Sequence, residues 1–119
     1  MIILSYNCRG LVSQPKKIVL RELMKSHNPD VLLLQETMGQ GEEVNGILSR
    51  MFHGWVFQAL DAHGRSGGLS MGIKSAKMKE FSSWGSENSL ALEVYSKKIC
   101  HPLLLLNVYG PCMERAVPG

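Results

Sequence analysis

Two apolar runs, Ile2–Tyr6 and Val31–Leu34, lack the polar alternation of a half-exposed strand. A run of this kind needs cover on both faces, so each predicts a buried strand. Between them, Val19, Leu20, Leu23 and Met24 recur at helical spacing, with Lys16, Lys17, Arg21 and Lys25 on the other positions. Ser13 can cap this helix, Pro15 suits its first turn, and Asn28-Pro29 ends it, which predicts a helix over Pro15–His27. Val44, Ile47, Leu48, Met51 and Phe52 predict a second helix over Glu42–Phe52, with Glu42 and Glu43 at the end where the macrodipole favours acid. The period then shortens. Strands are expected at Trp55–Ala59, Leu69–Ile73, Met78–Trp84, Leu90–Tyr95 and Leu103–Tyr109, and the continuous apolar run Leu103–Leu106 predicts burial on both faces there as well. Leu90, Leu92 and Val94 alternate with Ala91 and Glu93, as on a half-exposed antiparallel strand. The order β-α-β-α followed by a meander is that of a mixed α/β layer fold.

Composition adds limits. The chain has 119 residues, 45% hydrophobic and 19% charged, which bounds it to one globular domain or part of one. Lys and Arg number 13 against 10 Asp and Glu, a net charge of +3 that permits a polyanionic partner without requiring one. Three cysteines, Cys8, Cys100 and Cys112, form no C-x-x-C pair and suit a reducing compartment as small buried hydrophobes. No apolar run is long enough to span a bilayer and no secretory leader is legible, so the expectation is a soluble intracellular chain with no membrane partner. His27, His53, His63 and His101 show no metal spacing and read as surface or turn residues.

Candidate chemistry gathers at strand ends. Glu36 follows the second buried strand, where open α/β sheets place ligand groups, and a hard cation such as Mg²⁺ accepts one or two such carboxylates. Asn7 closes the first strand and could orient a carboxylate without adding charge. The Tyr109 hydroxyl could donate to a phosphate, and the loop Gly64-Arg65-Ser66-Gly67-Gly68 could bring backbone and Arg close to one. Each has a plain structural explanation as well: a solvated Glu, a turn Asn, a packing Tyr, a hairpin. Dinucleotide and P-loop signatures are absent, so no small-molecule cofactor is expected. Lys74, Lys77 and Lys79 lie near Phe81 and Trp84 in sequence, a pattern that fits a nucleic-acid patch or a solvated strand face.

Their order along the chain is more specific than any one of them. Ser5-Tyr6-Asn7-Cys8-Arg9-Gly10-Leu11, Asn28-Pro29-Asp30-Val31, Leu34-Gln35-Glu36-Thr37, Ser66-Gly67-Gly68-Leu69 and Leu106-Asn107-Val108-Tyr109-Gly110-Pro111 together resemble the endonuclease/exonuclease/phosphatase superfamily. The likeness is strongest to the endonuclease domain of plant LINE-type (non-LTR) retrotransposons. The resemblance implies a four-layer α/β sandwich with a mixed sheet, and a metal-dependent phosphodiesterase acting on DNA, nuclear by the same likeness. It implies that Glu36 is the Mg²⁺ ligand, that Asn7 organises the site, and that Tyr109 bonds the scissile phosphate. Arg9, Gly10, Gly67 and Gly68 would shape the cleft.

The same resemblance implies a gap. The family continues with an Asp-x-Asn segment, a later acidic residue and an Asp-His pair that supplies the general base, and neither Asp30 nor Asp61 stands in such a motif. Residues 1–119 therefore read as the N-terminal half of the domain, a fragment holding Mg²⁺ weakly if at all and inactive as it stands. The alternatives are a non-catalytic remnant binding nucleic acid weakly or not at all, and a fragment of a family phosphatase acting on small phosphate esters. Oligomeric state is not legible.

Overall fold

The computed structural model describes residues 1–62, 67–99 and 101–108, the side chain of Phe81 excepted. Its elements are β1 (Ile3–Asn7), α1 (Gln14–His27), β2 (Val31–Gln35), α2 (Gly41–Met51), β3 (Trp55–Leu60), β4 (Leu69–Lys74), β5 (Met78–Gly85), β6 (Ser89–Ser96) and β7 (Pro102–Val108). Every expected element is present with ends displaced by one residue at most; the expected last residue of β7, Tyr109, lies outside the described residues. The meander divides. β3 and β4 join the first two strands in a sheet of order β1-β2-β4-β3, and β5-β6-β7 form a second, antiparallel sheet. Only β1 and β2 run parallel, so the first sheet is mixed.

Both helices cover one face of the first sheet. Leu20 and Met24 of α1 pack with Val44, Ile47 and Leu48 of α2 over Leu32, Leu34 and Phe57. Val19, expected on this apolar stripe, is exposed, and the buried stripe of α1 narrows to Leu20 and Met24 with Leu23 at its margin. Ser13 sits at the N-cap with extended backbone, yet its side chain makes no capping bond. Asn28 ends α1 as expected, in the left-handed conformation, with its N–H on the Met24 carbonyl. α2 begins one residue early because Asp61, at the tip of β3, reaches across to accept the Gly41 N–H. That bond supplies the missing N-terminal partner from another element.

The other face of the first sheet packs on the second sheet. Val31, Leu69, Met71 and Ile73 meet Met78, Leu90, Leu92, Val94 and Leu105 in a separate apolar core. β2 and β4 are thus covered on both faces, but the expectation of full burial fails for two runs. β1 is an edge strand whose second-sheet side is half open, with Ile3 49% exposed. β7 is the edge of the second sheet and turns Leu104, Leu106 and Val108 outward, each at least half exposed. β6, expected half-exposed, turns Leu90, Leu92 and Val94 into this core and Ala91, Glu93 and Tyr95 to the other face, as the alternation implied, although its central position also shields Ala91. Trp84, Ala91 and Leu106 pair in register across the outer face, which carries no covering layer among the described residues. The described residues form three layers: helices, mixed sheet, antiparallel sheet. No helix among the described residues is long and apolar enough to cross a membrane.

Four turns knit the end of the sandwich where β2 begins. Lys74 N–H bonds the Asp30 carbonyl, Ser75 N–H that of Gly54, and Lys97 N–H that of Lys77. Asp30 also accepts the Ile2 N–H at 2.9 Å and faces Lys77 at 3.4 Å. The backbone bond first, and Lys77 second, hold its carboxyl below the usual carboxylate range against the opposing effect of burial. A lowered folded value means that this stabilisation is complete above the unfolded value of about 3.9. It is lost as pH falls through the folded value. Thermal unfolding followed by circular dichroism from neutral to acid pH should show a steep acid loss in the wild-type chain and a shallower one in Asp30→Asn.

Candidate active site

The parallel pairing of β1 and β2 brings their C-terminal ends to one place, with Asn7 in register with Gln35. The side chain of Asn7 is fixed at both atoms. Its Oδ1 accepts the Arg9 N–H at 3.2 Å, so its Nδ2 is turned to donate to Glu36 Oε2 at 2.9 Å. The first of these is the local bond by which Asn initiates turns. The second orients a carboxylate while adding no charge. Two of the expected site residues are therefore in direct contact across 29 positions of sequence.

The backbone under this pair is strained. Arg9, Glu36 and Met38 have φ of 51°, 54° and 59°, the left-handed region that costs a residue with a side chain roughly 1–2 kcal/mol. Tertiary bonds hold the strain in place: Cys8 N–H to the Gln35 carbonyl and Gly10 N–H to that of Glu36, both at 2.8 Å, and Leu11 N–H to that of Thr37. Strain retained by surrounding bonds is a feature of functional loops. On the far side of Glu36, the Thr37 N–H bonds the Gly68 carbonyl at 3.3 Å. A Cβ on Gly67 would stand 3.0 Å from the Glu36 Cα, and one on Gly68 would stand 2.6 Å from Thr37 Oγ1. Gly68 also has φ +90°. Close approach to the Glu36 segment explains both glycines, beyond the needs of a hairpin. Arg9, Gly10, Gly67 and Gly68 thus border Asn7 and Glu36. Tyr109 and residues 64–66 of the glycine loop lie outside the described residues.

Cys8 lies directly behind Asn7 and is 1% exposed. Burial, with a smaller contribution from Glu36 and against the pull of Lys16, pushes its thiol up to about 12. It is a protonated core residue, as expected, and no nucleophile. Cys100 and Cys112 are outside the described residues. His27, His53 and His101 are exposed; His63 is not described.

Sequence reasoning missed the support beneath the site. Asn107, quoted only as part of a strand motif, is 1% exposed and crosses from β7 to the first sheet. Its Nδ2 donates to the carbonyls of Leu34 and Ser70 at 3.0 and 2.9 Å, and its Oδ1 accepts from Gln35 at 2.8 Å. Gln35 Nε2 also donates to Ser5 Oγ at 3.1 Å. The available signal was a polar residue at an inward position of an otherwise apolar strand. The residue so anchored, Gln35, immediately precedes Glu36.

A hard cation fits here as far as the donors go. Glu36 offers one oriented carboxylate at an open strand end, and Mg²⁺ keeps several waters and needs few protein ligands. No group of three or more His, Cys, Asp or Glu is gathered among the described residues, so protein ligation would be sparse.

Two stability measurements test this architecture. Asn107→Ala strips partners from Gln35 and from two buried carbonyls and should lower the urea-unfolding free energy by about 1–3 kcal/mol. Gly68→Ala should cost a similar ~1–3 kcal/mol, from the left-handed backbone and the contact with Thr37.

Comparison with known proteins gives the site its context. No match is found among curated protein sequences. Among solved structures, humanized D. rerio TDP2 superposes with a TM-score of 0.66 at 18% identity, over 89% of this chain and 45% of that one. The AP endonuclease LMAP of Leishmania major gives 0.64 at 22% identity, over 90% and 39%. The Xenopus laevis APE2 catalytic domain gives 0.61 at 19% identity, over 93% and 45%. The chain thus spans less than half the length of each. At these identities the likeness establishes a shared fold, the mixed-sheet α/β sandwich. The family match extends over residues 4–109, from β1 through every element described above. On that match the chain belongs to the Endonuclease/Exonuclease/phosphatase family.

Proposed function

We propose that residues 1–119 carry one half of a Mg²⁺-dependent phosphodiesterase site of the DNA-endonuclease type, and that this half does not cleave DNA alone. The observation that carries the reading is the Asn7–Glu36 contact at 2.9 Å on a strained, tertiary-bonded backbone. In this reading Glu36 holds the cation, and Asn7 fixes the rotamer that presents the carboxylate. When bound, Mg²⁺ neutralises charge developing on the phosphate during in-line attack by water. Arg9 lies beside the pair to engage phosphate, Gly67 and Gly68 let the opposite loop approach, and Tyr109 donates to the scissile phosphate. A D. rerio TDP2 structure in complex with a single-strand DNA product supports a nucleic-acid substrate by analogy. The phrasing Asn7-Cys8-Arg9-Gly10-Leu11 and Asn107-Val108-Tyr109-Gly110-Pro111 favours a retrotransposon endonuclease of the LINE type over a small-molecule phosphatase.

The same reading accounts for inactivity. A general base near neutral pH requires a residue such as His held by an acid, and no such pair is among the described residues. Cooperating catalytic groups lost together remove most of the acceleration. In a plasmid-nicking assay with Mg²⁺ the purified chain should produce no nicked circle above background. Titration with Mg²⁺ followed by amide NMR should nonetheless shift the signals around Glu36 with an affinity on the order of millimolar, and Glu36→Ala should abolish those shifts. Nicking by the wild type that disappears in Glu36→Ala would overturn the assignment of inactivity. Unchanged Mg²⁺ shifts in Glu36→Ala would overturn the assignment of the ligand.

A further inference from the structure

Charge is sorted along the sandwich. At the end bearing Asn7 and Glu36, five carboxylates, Glu36, Glu42, Glu43, Asp61 and, in the β5–β6 turn, Glu87, outnumber Arg9, Lys16 and Lys17. At the opposite end lie Lys25 and Arg50 in the last turns of the helices, Lys74 and Lys77 around the β4–β5 turn, and Lys97 and Lys98 after β6. All but Lys74 are exposed. These turns touch, as the bonds from Lys97 to Lys77, Lys74 to Asp30 and Ser75 to Gly54 show. Asp30 is the carboxylate among them, and it is already occupied by the Ile2 N–H and Lys77.

Two helix C-termini face this end and oppose an anion. Each amounts to roughly half a negative charge, so together they offset about one of the six cations, and Asp30 offsets another, Lys77. The balance stays strongly positive, and charge of one sign concentrated on one surface selects a polyanion.

A second feature narrows the partner. Between the ends of both helices and the start of β3 opens a cleft of about 350 Å³, with Met24, Phe52 and Trp55 on its apolar side and Arg21, Lys25 and Lys74, together with the carboxylate of Glu22, on its charged side. Lys74 Nζ stands 6.0 Å from the Trp55 ring centroid and is steadied by Asn28 Oδ1 at 2.9 Å. An aromatic wall rimmed by cations suits a flat ring joined to a phosphate, and a base is free to enter only when it is unpaired. The grouping Lys74, Lys77 and Lys79 suggested by the sequence is thereby divided. Lys79 is on β5 in register with Tyr95, while Lys74 works with Trp55, not with Trp84.

We propose that this lysine-rich end is a docking surface for single-stranded nucleic acid, with phosphates on the turns and a base in the Trp55 cleft. It is separate from the Glu36 site and does not depend on that site binding metal. The test is fluorescence anisotropy of a labelled oligothymidylate of about a dozen nucleotides with the whole chain at low salt. Lys97→Glu/Lys98→Glu should weaken binding at least about tenfold and flatten its salt dependence. Lys16→Glu/Lys17→Glu alters net charge equally on the first turns of α1, at the opposite end, and should change affinity less than about twofold. Trp55→Leu should cost at least about fivefold, whereas Trp84→Leu on the outer sheet face should cost nothing. Circular dichroism confirms that each variant is folded, and the lysine pair decides the case even if Trp55→Leu unfolds. Equal weakening by the two charge pairs, or full binding by Lys97→Glu/Lys98→Glu, would overturn the proposal. Displacement by heparin or by duplex as effective as by unlabelled oligothymidylate would overturn the single-strand assignment.

Discussion

One buried amide joins the two sheets at the point where the candidate chemistry begins. Asn107 leaves the second sheet and satisfies two carbonyls and a glutamine on the first, inside a core that is otherwise apolar. An apolar contact there would hold the sheets together but tolerate sliding, because dispersion has little direction. A hydrogen-bonded amide allows one register. With the register set, Gln35 is fixed from both sides, and Glu36 leaves β2 along a defined path. At the other lateral edge, Gln58 of β3 donates to Glu80 of β5 at 2.9 and 3.2 Å. The apolar interior between the sheets is therefore bounded at each side by a directional polar tie.

The site uses this rigidity to retain strain. Three non-glycine residues in left-handed conformation at this end, Arg9, Glu36 and Met38, would relax if the flanking strands could move. Backbone bonds to Gly10, Leu11 and Gly68 prevent it. The result is one carboxylate aimed by one amide, with the neighbouring thiol buried and inert. Such a pair is well ordered before any ligand arrives, which lowers the ordering cost of binding. The chain itself spans less than half the length of each solved structure compared with it.

Charge follows the fold rather than the sequence. Acids and bases come in short interspersed blocks along the chain, and the repeated reversal of strand and helix direction gathers five acids toward one end and most of the lysines toward the other, with Lys16, Lys17, Glu22 and Asp30 as exceptions. Helix N-termini attract Glu42 and Glu43, and helix C-termini attract Lys25 and Arg50, so part of the sorting is a consequence of the macrodipole. Lys77, Lys97 and Lys98 sit on strand turns, where that explanation does not apply.

The sequence by itself determined the elements, because periodicity and punctuation are local: apolar runs, helical spacing, Asn28-Pro29 and the glycine-bearing turns set every boundary to within a residue. It also put Asn7 and Glu36 at the ends of two neighbouring strands, where the fold brings them into contact; as candidates for a site they came from the order of the motifs, since each alone reads equally well as a turn residue or a solvated carboxylate. What it left open depended on non-local partners. Burial of β1 and β7 depended on their edge positions, which a single strand does not encode. The division of the meander between two sheets, the irregular register between Glu80 and Ser82 that turns Glu80 inward and Trp84 outward, and the capping of α2 by Asp61 all required the neighbouring chain. Asn107 is the clearest case. Its residue type was visible, but its role exists only because two sheets stack, and stacking brings together atoms 73 positions apart.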